Sequence, residues 1–294
     1  MRGLVFSIDD AYVVPFKVLW RSLIRSNSIP KATRVFILHE DTLTERSVKE
    51  ITRCISKDGF AASFVDATYK VPDDLPISKN DHVSKATFYR LFVASILPRE
   101  ISSAVYLDSD AIVIRSIRIL FEMELTKPIA AVDHLSPEDG LRLWGDISGN
   151  YFQAGVLIID LAAWRSFGYE SVFANILSNN RSMIKWWDQC ILNLAFKDNW
   201  QRLPVWFNVC AAVRNVIDAE IIESKGCYIH FDGSNKPWKT LSETPQSLRW
   251  YCAYEDTFGA PFDFTSIKQG LRKTIVINTK KAVARVVKKI LRIS

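Results

Sequence analysis

Two aspartates interrupt an otherwise apolar stretch of the chain, and this feature limits how the sequence can fold. Residues 104–114 read AVYLDSDAIVI, in which Asp108 and Asp110 are flanked by the β-branched and aromatic residues typical of a buried strand. An ionised carboxylate is costly to bury unless a cation or a metal ion neutralises it. The fold must therefore bring a cationic side chain or a metal ion to this pair.

The spacing of the pair permits a metal site. Residues i and i+2 of a strand point to the same face, so Asp108 and Asp110 would lie roughly 6–7 Å apart. If the chain bends after Leu107, both carboxylates can approach one divalent ion. The alternative remains open that the pair receives an arginine or caps a helix, because Asp-x-Asp alone is a weak signal.

Strand-like and helix-like segments alternate in the first hundred residues. The predicted strands are 3–8, 34–39, 60–65 and 103–107, and the predicted helices are 12–26, 43–57 and 84–97. Such alternation predicts βαβ units and an α/β fold, with a Rossmann-like, mostly parallel sheet flanked by helices.

Ligands of such a sheet bind beyond the carboxyl ends of its strands. Asp9 and Asp10 follow the first predicted strand, and the Asp108–Asp110 segment follows the fourth, so we expect both acidic groups at one crevice. Residues 69–81 contain two prolines and many polar residues, and they are predicted to form a loop over that crevice.

A second segment offers complementary chemistry. Neither Gly-x-Gly-x-x-Gly nor Gly-x4-Gly-Lys occurs, so bound phosphate would need a metal and cationic side chains instead. In YIHFDGSNKPW (228–238), His230 can ligate a metal, Gly233 permits close backbone approach and Lys236 suits phosphate. Two carboxylates and one imidazole suit Mn²⁺ better than Mg²⁺, although Mg²⁺ stays open. Read alone, a single histidine followed by a Lys-Pro turn is more often structural than functional.

Six segments together resemble glycosyltransferase family 8, the retaining enzymes of the GT-A fold, and most of all its bacterial lipooligosaccharide and lipopolysaccharide galactosyl- and glucosyltransferases. The resemblance runs in order over residues 3–238. The segments are FSIDDAYVVP (6–15), HVSKATFYRLFVASILP (82–98), VYLDSDAIV (105–113), FQAGVLIIDLAAWR (152–165), WWDQCILN (186–193) and HFDGSNKPW (230–238).

The resemblance implies a transfer of galactose or glucose from a UDP-sugar to a glycan or glycolipid acceptor, and it implies roles for individual residues. Asp108, Asp110 and His230 would hold Mn²⁺ against the diphosphate. Uridine would be held by Ser7, Asp9 and Tyr12. The phosphates and sugar would be faced by Arg90, Ser109, Gly233 and Lys236. The transferred hexose would be surrounded by Asp133, Gln153, Ala154, Asp188 and Gln189.

Two positions depart from the family pattern. Gln153 stands where the family usually has asparagine, and the extra methylene shortens the predicted sugar pocket. Ala11 stands where a polar nucleotide contact is common. Neither position touches the predicted metal ligands, so the departures leave the identity of the donor sugar open.

The implied reaction breaks a sugar–phosphate bond, and charge develops on the leaving diphosphate and at the anomeric carbon. Metal and Lys236 would stabilise the diphosphate. We expect attack from the same face, with Asp188 orienting the hexose hydroxyls and Gln189 steadying the cationic centre, because an amide is a poor nucleophile. The predicted catalytic residues are therefore Asp188, Gln189 and Lys236.

The positive charge of the chain is concentrated at its end. The formal net charge is +6, but nine of the 38 basic residues follow Asp263, after which no acid occurs, so the preceding chain carries 29 basic and 32 acidic residues. This distribution argues against a nucleic-acid partner. Residues 1–258 are therefore predicted to be the catalytic domain and 259–294 a basic tail, whose residues 277–294 show the pattern of an amphipathic helix suited to an anionic membrane surface.

The cellular location is predicted from the hydropathy, the N-terminal sequence and the cysteines. No apolar run of about 18 residues or more occurs, so we expect no spanning helix. The N-terminus lacks the pattern of a secretory signal, and the five cysteines are scattered as in reduced proteins. We expect a cytoplasmic protein that binds peripherally to the inner face of the cell membrane.

Three other functions remain open. An Asp-x-Asp phosphohydrolase would have its motif near the start of the chain and would leave HFDGSNKPW unexplained. A non-enzymatic binding protein would lack Asp108, Asp110 or His230, all of which are present. A self-glucosylating primer protein of the same family would need an acceptor tyrosine of its own.

Overall fold

A computed structural model describes residues 2–77, 83–134, 137–145, 151–211, 222–242 and 244–266. The strands in these ranges are Arg2–Ser7 (β1), Arg34–His39 (β2), Ala62–Asp66 (β3), Ser103–Leu107 (β4), Ala111–Val113 (β5), Ile129–Asp133 (β6), Phe152–Asp160 (β7), Gln201–Leu203 (β8), Val209–Cys210 (β9) and Tyr228–His230 (β10). The α-helices are Val13–Arg25 (α1), Glu45–Ser56 (α2), Val93–Ile96 (α3), Ile119–Glu122 (α4), Pro137–Trp144 (α5), Leu161–Phe167 (α6), Tyr169–Asn179 (α7), Trp187–Phe196 (α8) and Pro245–Phe258 (α9).

Seven strands form one sheet in the order β3-β2-β1-β4-β7-β6-β8. All of its neighbouring pairs are parallel except the two made by β7, which runs antiparallel to β4 and β6. The prediction of an α/β fold with a mostly parallel sheet is confirmed, and the four predicted strands correspond to β1–β4 within two residues at each end.

The sheet is covered on both faces, as expected for parallel strands rich in apolar residues. Val5 and Tyr106 face a core that contains Trp164 of α6 and residues of α7 and α8. The alternating position Phe6 faces the opposite core with Trp20 of α1 and residues of α2. The two-residue period of a strand thus separates the two cores.

A smaller, three-stranded sheet lies next to the large one. It has the order β5-β10-β9, with β5 antiparallel and β9 parallel to β10. Its core contains Ile112, Ile229 and Trp250 of α9. Because β5 follows β4 after only three residues, the chain passes from one sheet to the other at Asp108–Asp110.

One predicted helix has a different form. Residues 84–97 contain a 3-10 helix over Lys85–Phe92 followed by the single turn of α3, rather than one α-helix. Aromatic and β-branched residues such as Phe88, Tyr89 and Val93 have low helix propensity and are buried here. Tertiary packing therefore sets the local geometry.

The predicted loop and tail are described only in part. Residues 71–77 are irregular, with Val71 and Leu75 buried in the core, whereas 78–82 lie outside the described residues. Of the predicted tail, Phe262 packs on Tyr251 of α9 with ring centroids 5.6 Å apart. Residues 267–294 lie outside the described residues, so the basic helix remains a prediction.

Candidate active site

A cavity of about 620 Å³ opens where the carboxyl ends of β1 and β4 meet the small sheet. Asp10, which was expected at the same crevice, is not among the described residues that line the cavity and instead accepts hydrogen bonds from Thr44. Fourteen of the fifteen residues to which the family resemblance assigns a role do line the cavity. They are Ser7, Asp9, Tyr12, Arg90, Asp108, Ser109, Asp110, Gln153, Ala154, Asp188, Gln189, His230, Gly233 and Lys236.

The remaining one is Asp133, at the end of β6. Its carboxylate forms an ion pair with Arg202 in β8, and it is not among the described residues that line the cavity. The neighbouring His134 lines the cavity instead. The pairing of β6 with β8, more than 65 residues later in the chain, is what brings Arg202 to Asp133.

Asp108, Asp110 and His230 come together at the junction of the two sheets. One potential ligand atom from each lies within 4.8 Å of the others. His230 Nε2 lies 3.0 Å from Asp110 Oδ1 and 3.8 Å from Asp108 Oδ2. The bend after Leu107 that a shared ion would need is present.

The imidazole ring is held from behind. His230 Nδ1 lies 3.0 Å from Asn208 Oδ1, an acceptor that favours the proton on Nδ1 and turns Nε2 towards the aspartates. Such a partner commonly fixes the tautomer of a metal-binding histidine. Asn208 was not predicted from the sequence, because nothing local to residue 208 indicates that it will face β10.

Gly155 makes room for the ring. A Cβ atom at this position would lie 2.4 Å from His230 Cε1, 2.6 Å from His230 Nδ1 and 3.2 Å from Asp108 Oδ2. Only glycine therefore allows β7 to pass so close to the histidine. A glycine within an apolar strand can indicate such an approach, and this signal in FQAGVLIID could have identified the position.

Asp110 is stabilised as a carboxylate by two groups. Lys236 Nζ lies 2.5 Å from Asp110 Oδ2, and the His230 ring faces Oδ1. Burial alone would raise the pKa of Asp110, but Lys236 and His230 together lower that pKa far below its usual range. The same pairing raises the pKa of His230 against the opposing effect of its burial.

Arg90 is buried between two carboxylates. Its Nη2 donates to Asp108 Oδ1 over 2.8 Å, and its Nε lies 2.9 Å from Asp188 Oδ2. The guanidinium also stacks on Tyr106, 4.5 Å from the ring centroid, and Tyr106 donates its hydroxyl to Asp108 Oδ1 over 3.1 Å. Asp108 thus receives an arginine, one of the alternatives considered for the pair, and still faces the candidate metal position.

Asp188 lies at the start of α8 and is only 4% exposed. Burial raises its pKa to about 7, the attraction of Arg90 works against this rise, and the negative charge of Asp108 adds to it. One guanidinium shared between two carboxylates does not fully compensate for the lost hydration. Asp188 is therefore an acidic group of the cavity whose charge changes near neutral pH.

Gln189 is fixed by its neighbours in the cavity wall. Its Oε1 accepts from the backbone N–H of Ala154 at 3.0 Å, and its Nε2 donates to the Tyr151 hydroxyl at 3.2 Å. The Ala154 carbonyl accepts from Arg90 Nη1. Gln189, Ala154 and Arg90 are thus parts of one hydrogen-bonded wall.

The residues predicted to hold the nucleotide also line the cavity. Asp9 accepts from the backbone N–H of Tyr12 at 3.2 Å and from Ser84 Oγ at 3.0 Å. Tyr12 packs edge-on against Trp238, with centroids 6.0 Å apart. Gly233 has a φ of +77°, a conformation that residues with a side chain rarely adopt.

Several buried polar atoms in the cavity wall have no hydrogen-bond partner among the described residues. Among them are Ser109 Oγ and Gln153 Oε1, both on side chains that are less than 10% exposed. Buried polar atoms are usually hydrogen-bonded, so these two indicate that a polar ligand completes the site.

Two tryptophans in the cavity wall were missed by the site prediction. Trp186 and Trp187 are half-buried and line the cavity next to Asp188. Trp187 has a φ of +42°, an unusual value for a residue with a bulky side chain, directly before the predicted catalytic residue. Paired tryptophans in the quoted WWDQCILN could have indicated a flat ligand surface.

The donor set fits a divalent cation. Two carboxylates and an imidazole converge, Asn208 orients the ring, and Gly155 leaves the space that this geometry needs. Oxygen and imidazole ligands together suit Mn²⁺, and Mg²⁺ is compatible with the carboxylates. Asp108, Asp110 and His230 are thus the residues that would hold the ion.

Comparison with known proteins gives a consistent result. Residues 3–242 match the sequence profile of glycosyl transferase family 8. Glycosyltransferase GlyF of Streptococcus pneumoniae is 25% identical over 87% of this chain, which spans 61% of GlyF. A lipopolysaccharide 1,2-glucosyltransferase of Escherichia coli is 26% identical, over 79% of this chain and 72% of the relative.

The fold is also that of solved structures. The galactosyltransferase LgtC, crystallised with donor and acceptor sugar analogues, superposes with a TM-score of 0.75 at 21% identity, covering 88% of this chain and 97% of LgtC. This likeness confirms the predicted GT-A fold. The profile match spans most of the chain and includes all six quoted segments, and the chain therefore belongs to glycosyl transferase family 8.

Proposed function

We propose that this protein is a metal-dependent, retaining hexosyltransferase that moves galactose or glucose from a UDP-sugar to a glycan acceptor. The observation that carries the proposal is the meeting of Asp108, Asp110 and His230 with Lys236 and Arg90 in one cavity. Paired carboxylates and an imidazole for a metal, beside two buried cations, match the needs of a leaving diphosphate. Family membership supports the same reaction.

Residues in different parts of the cavity would have different roles in the reaction. A bound Mn²⁺ or Mg²⁺ would act as a Lewis acid that stabilises charge on the leaving diphosphate. Lys236, buried in the wall of the same cavity, would add positive charge there. Ser7, Asp9 and Tyr12, which line the same cavity, would hold uridine.

The sugar would lie against α8. Asp188 would orient the hexose hydroxyls, and Arg90 would hold the Asp188 carboxylate in place through its contact of 2.9 Å. Gln189 is held by Ala154 and Tyr151, and its amide is a poor nucleophile, which supports same-face attack rather than a covalent intermediate. Gln189 would then steady the positive charge that develops at the anomeric carbon.

The half-buried tryptophans support a sugar acceptor. Trp186 Nε1 donates to Asp139 Oδ1 at 2.8 Å, which leaves its ring fixed at the cavity wall next to Trp187. Flat apolar faces beside polar groups are suited to sugar rings. One relative carries the name lipopolysaccharide 1,2-glucosyltransferase, and a lipopolysaccharide or another cell-surface glycan is the acceptor we propose.

A membrane role for the end of the chain belongs to the same proposal. Among the described residues, no helix is both long and apolar enough to cross a bilayer. The nine basic residues after Asp263 would instead attract the chain to the anionic inner face of the cell membrane. Deleting residues 267–294 should release the protein from anionic vesicles at low salt, and unchanged binding would remove this part of the proposal.

The decisive assay measures UDP release from a panel of UDP-sugars with Mn²⁺, Mg²⁺ or EDTA. We expect release from UDP-galactose or UDP-glucose that requires a divalent ion and increases with added glycan acceptor. No release from any donor would contradict the proposal. Mass spectrometry of the protein after incubation separates transfer to an acceptor from self-glucosylation, which would add hexose to the chain itself.

A further inference from the structure

Lys236 occupies an unusual position for a residue expected to bind phosphate. Its Nζ lies 2.5 Å from Asp110 Oδ2 and 2.5 Å from the Phe231 carbonyl oxygen, and the residue is only 3% exposed. The ammonium is therefore paired with a candidate metal ligand within the protein. The other oxygen of Asp110 faces His230 Nε2 at 3.0 Å.

Because of this pairing, a divalent ion and the Lys236 ammonium would compete for the Asp110 carboxylate. A divalent ion bound by Asp110 would share that carboxylate with a buried ammonium, and like charges repel strongly where water is largely excluded. The Lys236 ammonium and the divalent ion would both lie against the Asp110 carboxylate. A diphosphate bound beside them would add negative charge and so reduce the repulsion between these two cations.

We propose that Lys236 is an internal counter-ion of Asp110 that weakens metal binding by the free protein, so that metal and nucleotide diphosphate bind cooperatively. This inference rests on the proposed function, since the diphosphate is that of the sugar donor. When the diphosphate enters, it supplies the negative charge that Lys236 otherwise takes from Asp110. Because binding free energies are linked, the metal strengthens nucleotide binding by the same factor.

The arrangement has a consequence for the reaction. A metal that binds tightly only together with the diphosphate would be largely absent from the site while no donor is bound. Lys236, by contrast, is present in both states and lines the cavity. It thus serves as a positioning group for Asp110 before the donor binds and as a phosphate-binding group afterwards.

The test measures Mn²⁺ binding directly by electron paramagnetic resonance of the free ion, with and without UDP. Three proteins are compared: wild type, Lys236→Gln and Lys127→Gln. Gln removes the charge of Lys236 but keeps an N–H donor for Asp110. Lys127 is an exposed residue just before β6, at the end of the strand opposite to the cavity, and it controls for the loss of one charge.

Without UDP, we expect Lys236→Gln to bind Mn²⁺ about tenfold or more tightly than wild type, because the nearest competing charge is gone. Lys127→Gln should match wild type. UDP, after subtraction of its own binding to Mn²⁺, should tighten Mn²⁺ binding to wild type more than to Lys236→Gln. Lys236→Met provides a second variant with the same expectation if the glutamine protein does not fold.

The outcomes separate the inference from the function on which it rests. Equal Mn²⁺ affinity of wild type and the Lys236 variants without UDP would overturn the counter-ion role while leaving the metal site intact. Absence of Mn²⁺ binding to wild type, with and without UDP, would overturn the proposed metal-dependent function as well.

Discussion

The two sides of the cavity bury carboxylates in different charge environments. On the metal side, which comprises Asp110, His230 and Lys236, one carboxylate faces an ammonium and an imidazole, and the pKa of Asp110 is lowered far below its usual range. On the α8 side, which comprises Arg90, Asp188 and Gln189, one guanidinium serves both Asp108 and Asp188. Burial there raises the pKa of Asp188 to about 7.

The comparison shows that the pKa values of two similarly buried acids can shift in opposite directions. The number of cations for each carboxylate decides the result, because the loss of hydration is common to both sides. The metal side keeps a permanent negative charge, as a metal ligand requires. The α8 side holds a group that can exist in both forms near neutral pH, as suits a residue that hydrogen-bonds to sugar hydroxyls.

The largest expected effect comes from removing the permanent charge on the metal side. Asp110→Asn should lower UDP-sugar turnover about a hundredfold or more, since metal stabilisation of a leaving group contributes several kcal/mol. Turnover is measured as UDP release at saturating Mn²⁺. Asp263→Asn, at an exposed position near the end of α9, is the matched control, and near-normal turnover of Asp110→Asn would remove the metal role.

The opposite charge environment of the α8 side predicts a dependence of stability on pH. The folded protein holds the Asp188 proton up to pH about 7, whereas the unfolded chain loses it near the ordinary value of 3.8. The contribution of Asp188 to stability is therefore full below pH about 4 and is lost as the pH rises to about 7, by a total on the order of a few kcal/mol.

Chemical unfolding in EDTA measures this effect as a difference between wild type and Asp188→Asn. The difference in free energy of unfolding should change across that pH window and level off above it. Parallel stability curves of the two proteins would show that Asp188 has an ordinary pKa and would break the comparison between the two sides.

Turnover tests the same residue independently. Asp188→Asn should lower turnover well over tenfold at pH 8, because the ionised carboxylate accepts hydrogen bonds from hydroxyls and an amide does so less well. The KM for the donor separates binding from chemistry. Turnover close to that of wild type would exclude Asp188 from the reaction.

Gly155 allows the geometry of the metal side to be changed without changing the α8 side. Gly155→Ala should weaken Mn²⁺ binding about tenfold, since displacing a metal ligand or its support costs affinity of this order. The new Cβ would collide with His230 but not with the α8 side. Gly3→Ala, which crowds Phe36 with a contact of 3.1 Å, controls for overpacking elsewhere, and unchanged Mn²⁺ affinity in Gly155→Ala would contradict the predicted collision.

The smallest expected effect concerns the choice of sugar. Gln153→Asn should change the ratio of turnover with UDP-galactose and UDP-glucose by roughly three- to tenfold, because one methylene in a pocket gives only modest discrimination. Metal affinity should stay the same, since the substitution leaves Asp108, Asp110 and His230 unchanged. An unchanged donor ratio would show that Gln153 does not shape the sugar pocket.

Much of the framework follows from local patterns. The strands β1, β2 and β4 and the helices α1 and α2 lie close to their predicted limits, because apolar periodicity and caps such as Thr44 act within a few residues. The order of the six family segments was sufficient to predict the family and the GT-A fold. It was also sufficient to select residues that, Asp133 excepted, line one cavity.

Other features depend on contacts between distant parts of the chain. The reversal of β7, the close approach of Gly155 to His230 and the pairing of Asp133 with Arg202 each join segments that the local sequence does not relate. No pattern around residue 202 shows which acid it will face.

The sequence by itself determined which side chains are available to the site: two aspartates after a buried strand, a histidine and lysine in HFDGSNKPW, and an aspartate and glutamine after two tryptophans. Only the tertiary structure decided how the charges are shared, with Lys236 and His230 on Asp110 and one Arg90 between Asp108 and Asp188. The physical reason is that electrostatic energies depend on distance and burial, and packing sets both.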